Sequence, residues 1–183
     1  MKIRLLTALV MLTAAVIAAL GAVSAQDAGP FAERELHAVL GYGDQVFEPG
    51  MWLARGREFT DRTTAQWDSQ LLGGLAYADF LHYDDEIRAE QMPGRFDTEW
   101  FNVTLRNYDE WTQTASCAFD NLLLREFTVR VGEQKYLMRY WIELVTPERV
   151  LTFFMVFPAT SPDVLDVYAE RFHPGASKCG ARS

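Results

Sequence analysis

Two cysteines, three histidines and a run of carboxylates are the residues of this chain that could carry chemistry. Cys117 and Cys179 are the only cysteines. They lack the Cys-X-X-Cys spacing usual for a redox pair, so they read as one structural disulfide. Closing a loop of roughly 60 residues is worth about 4 kcal/mol by chain entropy. His37, His82 and His173 form no His-X-X-X-His, and none pairs with a cysteine at ligand spacing, so zinc has no recognisable seat. Asp84, Asp85 and Glu86, followed by Glu90, Asp97 and Glu99, could hold calcium or supply a glycosidase acid and base. They lack the EF-hand order, and the plainer reading is a solvated loop. Nucleophile-elbow and phosphate-cradling glycine motifs are absent. No catalytic residue, cofactor site or metal ligand is assigned on these grounds.

Aromatic content stands above background. All 24 Phe, Trp and Tyr residues lie beyond position 25, among them Trp52, Trp67, Trp100, Trp111 and Trp141. Trp and Tyr bury large areas yet need a partner for their N–H or O–H, so they gather in cores with polar edges, at interfaces and in pockets. A pocket formed by Trp52, Tyr77, Tyr83 and Trp141, with Arg139 as its polar anchor, is the expectation tested below.

The first 25 residues give these side chains a compartment. Lys2 and Arg4 precede an apolar run from Leu5 to Leu20, and Val23-Ser24-Ala25 places small residues before Gln26. That is the three-part pattern of a secretory signal peptide. Residues 1–25 are therefore read as a signal and residues 26–183 as a single exported domain. The run is also long enough to stay as an uncleaved anchor with the domain outside. Removal of Lys2 and Arg4 leaves 15 basic against 25 acidic residues, a net charge of −10. Such a surface repels nucleic acids and anionic headgroups.

The elements that must position these residues are clearest toward the C-terminus. Phe127, Val129 and Val131 alternate with polar residues, Gly132-Glu133-Gln134 turns the chain, and 136–145 alternates again. Thr146-Pro147-Glu148-Arg149 makes a second turn, and 150–157, apolar on both faces, reads as a central strand. Leu165, Tyr168, Ala169 and Phe172 form one stripe of a helix that Ser161 can cap and Pro162 can open. Upstream, Pro30 to Leu40 reads as a short helix. Met51 to Phe59 reads as a strand, and 64–72 and 75–83 as a hairpin about Gly73-Gly74. Residues 84–97 read as a loop, with strands at 99–106 and 113–119.

The sum is an α+β domain: a largely antiparallel sheet of about seven or eight strands with a helix packed at each end of the chain. Gly50-Met51-Trp52 resembles the Gly-X-Trp motif of lipocalins, a resemblance covering three residues, and it implies a closed barrel with an outer helix as the alternative.

The function expected from all this is a secreted or periplasmic, non-enzymatic domain that binds a small apolar molecule or a protein through an aromatic-rich sheet face. The alternatives are an extracytoplasmic hydrolase using carboxylates of 84–99 with His82, and an envelope assembly protein acting through protein contacts alone.

Overall fold

The computed structural model describes residues 39–41 and 43–180. The expected signal segment and most of the 30–40 helix lie outside that range. Residues 39–41 and 43–46 are helical.

Seven antiparallel strands form one open sheet: β1 (Leu53–Glu58), β2 (Arg62–Ser69), β3 (Gly74–His82), β4 (Glu110–Phe119), β5 (Leu122–Val131), β6 (Gln134–Thr146) and β7 (Arg149–Pro158). Their order is β1-β2-β3-β7-β6-β5-β4. Among the described residues β1 and β4 are unjoined edges, so the barrel alternative is set aside. The doubly apolar run does occupy the middle of the sheet, as β7. Phe153, Met155 and Phe157 enter one core cluster, and Val150 and Val156 enter another on the opposite face.

Each face has its own cover. On the first lies α3 (Pro162–Phe172), which buries Leu165, Tyr168, Ala169 and Phe172. Ser161 stands at its N-cap but makes no side-chain cap hydrogen bond. The tail beyond α3 is held to β4 by the Cys117–Cys179 disulfide. The Cys179 amide donates to Glu126 Oε1 at 2.7 Å, Glu126 lies 3.9 Å from Arg139, and Arg139 pairs with Asp166 of α3. Sulfur, a carboxylate and a buried guanidinium thus clasp the same corner.

On the second face lie a 3-10 turn (Ala89–Gln91), α1 (Met92–Arg95) and α2 (Thr98–Thr104). The expected strand over 99–106 is instead a helix. Asp97 caps it, accepting from the Glu99 and Trp100 amides at 2.9 and 3.1 Å, and Phe101 and Leu105 are spaced to enter the core together. The polar loop expected over 84–97 holds short helical turns, pinned by Ile87, Met92 and Phe96, each 1% exposed.

Turn chemistry sets the β2–β3 hairpin. Gly73 has φ +61°, where a side chain would be strained. Gly74 admits the Phe157 ring: a Cβ there would sit 2.4 Å from a ring carbon.

Candidate functional site

Strand alternation divides the expected pocket residues between the two faces. Trp52, Arg139 and Trp141 belong to the face under α3. Trp52 Nε1 donates to the Tyr168 hydroxyl at 3.0 Å, and that hydroxyl donates to Glu48 Oε2 at 2.7 Å. Trp141 Nε1 donates to the Ala176 carbonyl at 2.8 Å. Arg139, with Asp166 and Glu126, is part of the clasp. Every polar end in this group is answered from within the fold. Tyr77 and Tyr83 lie on the opposite face. Tyr83 packs under the Arg95 guanidinium, 4.2 Å from its ring centre.

On that second face, Tyr77 stands in better company than the sequence suggested. Register places Gln66, Tyr77, Phe154, Tyr140 and Arg125 side by side on five adjacent strands. Tyr77 stacks on Phe154 at 5.6 Å, and Phe154 on Tyr140 at 5.5 Å. Trp100 and Phe101 of α2 meet Tyr140 edge-on at 5.7 and 5.4 Å and close that end of the row. At the other end, Leu75, Tyr77, Asp79 and Phe154 are only half-buried. The row is roofed at one end and open at the other.

A polar row runs beside it: Arg57, Thr64, Asp79 and Thr152, again on adjacent strands. The Tyr77 hydroxyl faces the Asp79 carboxylate and the Thr64 hydroxyl. Thr152 Oγ1 donates to the Asp79 carbonyl at 3.4 Å. Two buried atoms here have no hydrogen-bond partner: Asp79 Oδ1, an acceptor, and Arg62 Nε, a donor. Burial raises the Asp79 pKa, with Asp61 adding to the rise; Tyr77 and the Arg62 charge oppose it without cancelling it. Tyr77 is pushed up to about 12, by burial first and then by the Asp79 charge. Burial also raises Tyr140.

Chemically, the open end joins an aromatic wall to one unanswered acceptor and one unanswered donor. A ligand group with both a donor and an acceptor (an amide, a carboxylic acid, a hydroxyl) carries the chemistry that these two atoms lack. Of the residues that compose it, only Tyr77 was singled out from sequence. An aspartate in the middle of an otherwise apolar strand, two residues from a tyrosine, was the signal available for Asp79.

The acidic stretch is arranged differently. Asp84, Asp85, Glu86, Glu90, Asp97 and Glu99 are all exposed. Asp97 is committed to capping α2, and with Glu99 and Trp100 it borders a shallow cleft of about 410 Å³. Among the described residues no three His, Cys, Asp or Glu side chains gather closely enough to hold a metal ion. His82 meets the Phe80 ring edge-on at 5.8 Å. Comparison of the sequence with protein-family models and with curated proteins finds no match.

Proposed function

We propose that this chain is an exported, non-enzymatic binding domain whose ligand is a small molecule with an apolar body and one polar group. The body lies against Tyr77, Leu75 and Phe154, and the polar group meets Asp79 Oδ1 and Arg62 Nε. The observation that carries this reading is the pair of buried, unpartnered atoms at the open end of the aromatic row. Leaving a buried polar group unanswered costs about 1–3 kcal/mol, a cost that a complementary ligand removes. Export is supported by the three-part pattern of residues 1–25 and by the Cys117–Cys179 disulfide, since such bonds persist in oxidising compartments. Among the described residues no helix is long and apolar enough to cross a membrane. The hydrolase reading rests on exposed carboxylates, and nothing in their geometry favours it over this one.

The test is a calorimetric or thermal-shift screen of the disulfide-bonded protein against amphipathic amides, carboxylic acids and sugars, repeated with Asp79→Asn and Tyr77→Ala. A hit weakened at least tenfold by both substitutions supports the site. A hit indifferent to both places the ligand elsewhere and overturns the reading. Sequencing the N-terminus of the protein from the extracytoplasmic fraction tests export separately, with Gln26 expected first.

A further inference from the structure

We infer that the free edge of β1 is a docking strand for an extended, acidic segment of a partner protein. This surface adjoins the small-molecule site, with Arg57 and Arg62 between them, and goes beyond it.

Among the described residues β1 is bonded to β2 alone, and its residues Leu53 to Arg57 are exposed. The Phe59 amide donates to the Arg62 carbonyl at 2.8 Å, which fixes the phase of the ladder. With the alternation of antiparallel pairing, Leu53, Arg55 and Arg57 turn their amides and carbonyls toward β2. Ala54, Gly56 and Glu58 turn theirs outward, away from β2. Two of those three residues carry the smallest side chains available, so a strand laid along this edge meets little bulk.

The surroundings of the edge are not those of a merely guarded strand. Edge strands are commonly protected by charge, and Arg55, Arg57 and Glu58 could serve that purpose alone. Yet of eight exposed large apolar side chains among the described residues, four flank this strand: Met51, Leu53 and Leu71 at its start and Phe59 just past its end. Leu53 is 58% exposed and Leu71 79%. Met51, Leu53, Leu71 and Arg55 line an open cleft of about 840 Å³. Protection from aggregation gives no reason for leucines and a cleft beside the arginines.

Charge selects the occupant. The chain carries a net −8, and Glu58, Asp61 and Asp68 lie close by, but the face of β1 that presents Leu53 presents Arg55 and Arg57 and no carboxylate of its own strand. The Arg57 and Arg62 guanidinium groups lie over the Phe59 ring at 4.9 and 5.2 Å, and neither makes an ion pair among the described residues. Arg55 has one 3.6 Å contact to Asp68 with its side chain 56% exposed. A second copy of this chain does not fit. Antiparallel self-pairing centred on Gly56 sets Arg55 opposite Arg57, and a shift by one pair in either direction sets arginine against itself; like charges directly opposite are destabilising. A partner segment that places apolar, acidic and acidic residues at alternate positions answers Leu53, Arg55 and Arg57 in turn. Main-chain hydrogen bonds then supply affinity and the alternate side chains supply selectivity.

The experiment is a titration of fluorescent ten-residue peptides onto the disulfide-bonded protein at low and high salt. The peptides carry leucine, glutamate and glutamate at alternate positions, written in both chain directions. Saturable binding by one direction is expected, weakened at least tenfold by Arg55→Glu with Arg57→Glu, and unaffected by Asp79→Asn. Methylating the peptide amides that face the edge should abolish it while leaving every side chain in place. Absence of saturation up to millimolar peptide overturns the proposal. So does equal binding of a peptide with lysine for glutamate, or undiminished binding of the N-methylated peptide, which would reduce the contact to side-chain attraction. Circular dichroism of the charge-reversed protein separates lost binding from lost fold, and the peptide arms need no variant at all.

Discussion

Tyr77 and Asp79 stand two residues apart on β3, on one face of the sheet, with the phenol hydroxyl turned to the carboxylate. Thr64 on one neighbouring strand and Thr152 on the other complete the polar row. The same alternation sends Ala76 and Ala78 into the core under α3, where both are at most 1% exposed. One strand therefore serves a sealed core with one set of side chains and a half-open polar row with the other.

Asp79 is held in a site that favours its neutral form, because burial outweighs the pull of Tyr77 and Arg62. A carboxyl whose folded pKa is raised adds stability below its unfolded pKa, near 3.9, and loses it as pH rises through the folded value. Asp79→Asn removes that dependence. The variant should gain on the wild type as pH goes from about 4 to neutrality. Thermal melts at matched pH values check this; a gap that is constant with pH would show that Asp79 titrates normally.

The Cys117–Cys179 bond closes a loop spanning 62 positions and fastens the tail to the edge strand β4. Cys117→Ala with Cys179→Ala should cost about 4 kcal/mol by loop entropy, lowering Tm by roughly 10 °C for a domain of this size. Scanning calorimetry of the oxidised protein and the double variant reads the difference directly. An unchanged Tm would mean that Arg139, Asp166 and Glu126 hold the corner unaided.

Tyr168 joins Trp52 to Glu48, accepting from one and donating to the other. Tyr168→Phe keeps the ring that stacks on Phe157 but leaves the Trp52 N–H, in a residue 6% exposed, without its acceptor. The expected cost is about 1–2 kcal/mol in denaturant unfolding. A neutral result would mean that water reaches Trp52.

Gly74→Ala tests the packing of the β2–β3 turn on β7. The new methyl would lie 2.4 Å from the Phe157 ring, which is 0% exposed and cannot swing away. Overpacking of this kind costs about 1–3 kcal/mol, so the midpoint of unfolding should fall while the unfolding slope stays constant.

Much of this architecture was legible in the chain because its signals are local. The alternation of 127–145, the doubly apolar 150–157 and the stripe from Leu165 to Phe172 each specify their element within a dozen residues. The 99–106 segment misled for the same reason: its Trp, Phe, Val and Leu satisfy a strand pattern, and the helix is decided by Asp97, which lies outside it. The pocket grouping drew on residue type. Trp52, Arg139 and Trp141 have the chemistry of a binding site, but their faces are fixed by register, and register puts them beneath α3. The row of Thr64, Asp79 and Thr152 depends on β3 pairing with β7 across more than seventy residues. No sequence-local pattern carries that pairing.

The proposed function turns on a ligand sitting at the half-open face of β2, β3 and β7. Amide shift mapping of the isotope-labelled, disulfide-bonded protein against a library of small amphipathic fragments measures that directly. Perturbations centred on Thr64, Tyr77, Asp79 and Thr152, with Trp52 and Trp141 unmoved, are the predicted result. Perturbations gathered under α3, or none for any fragment at millimolar concentration, would contradict it.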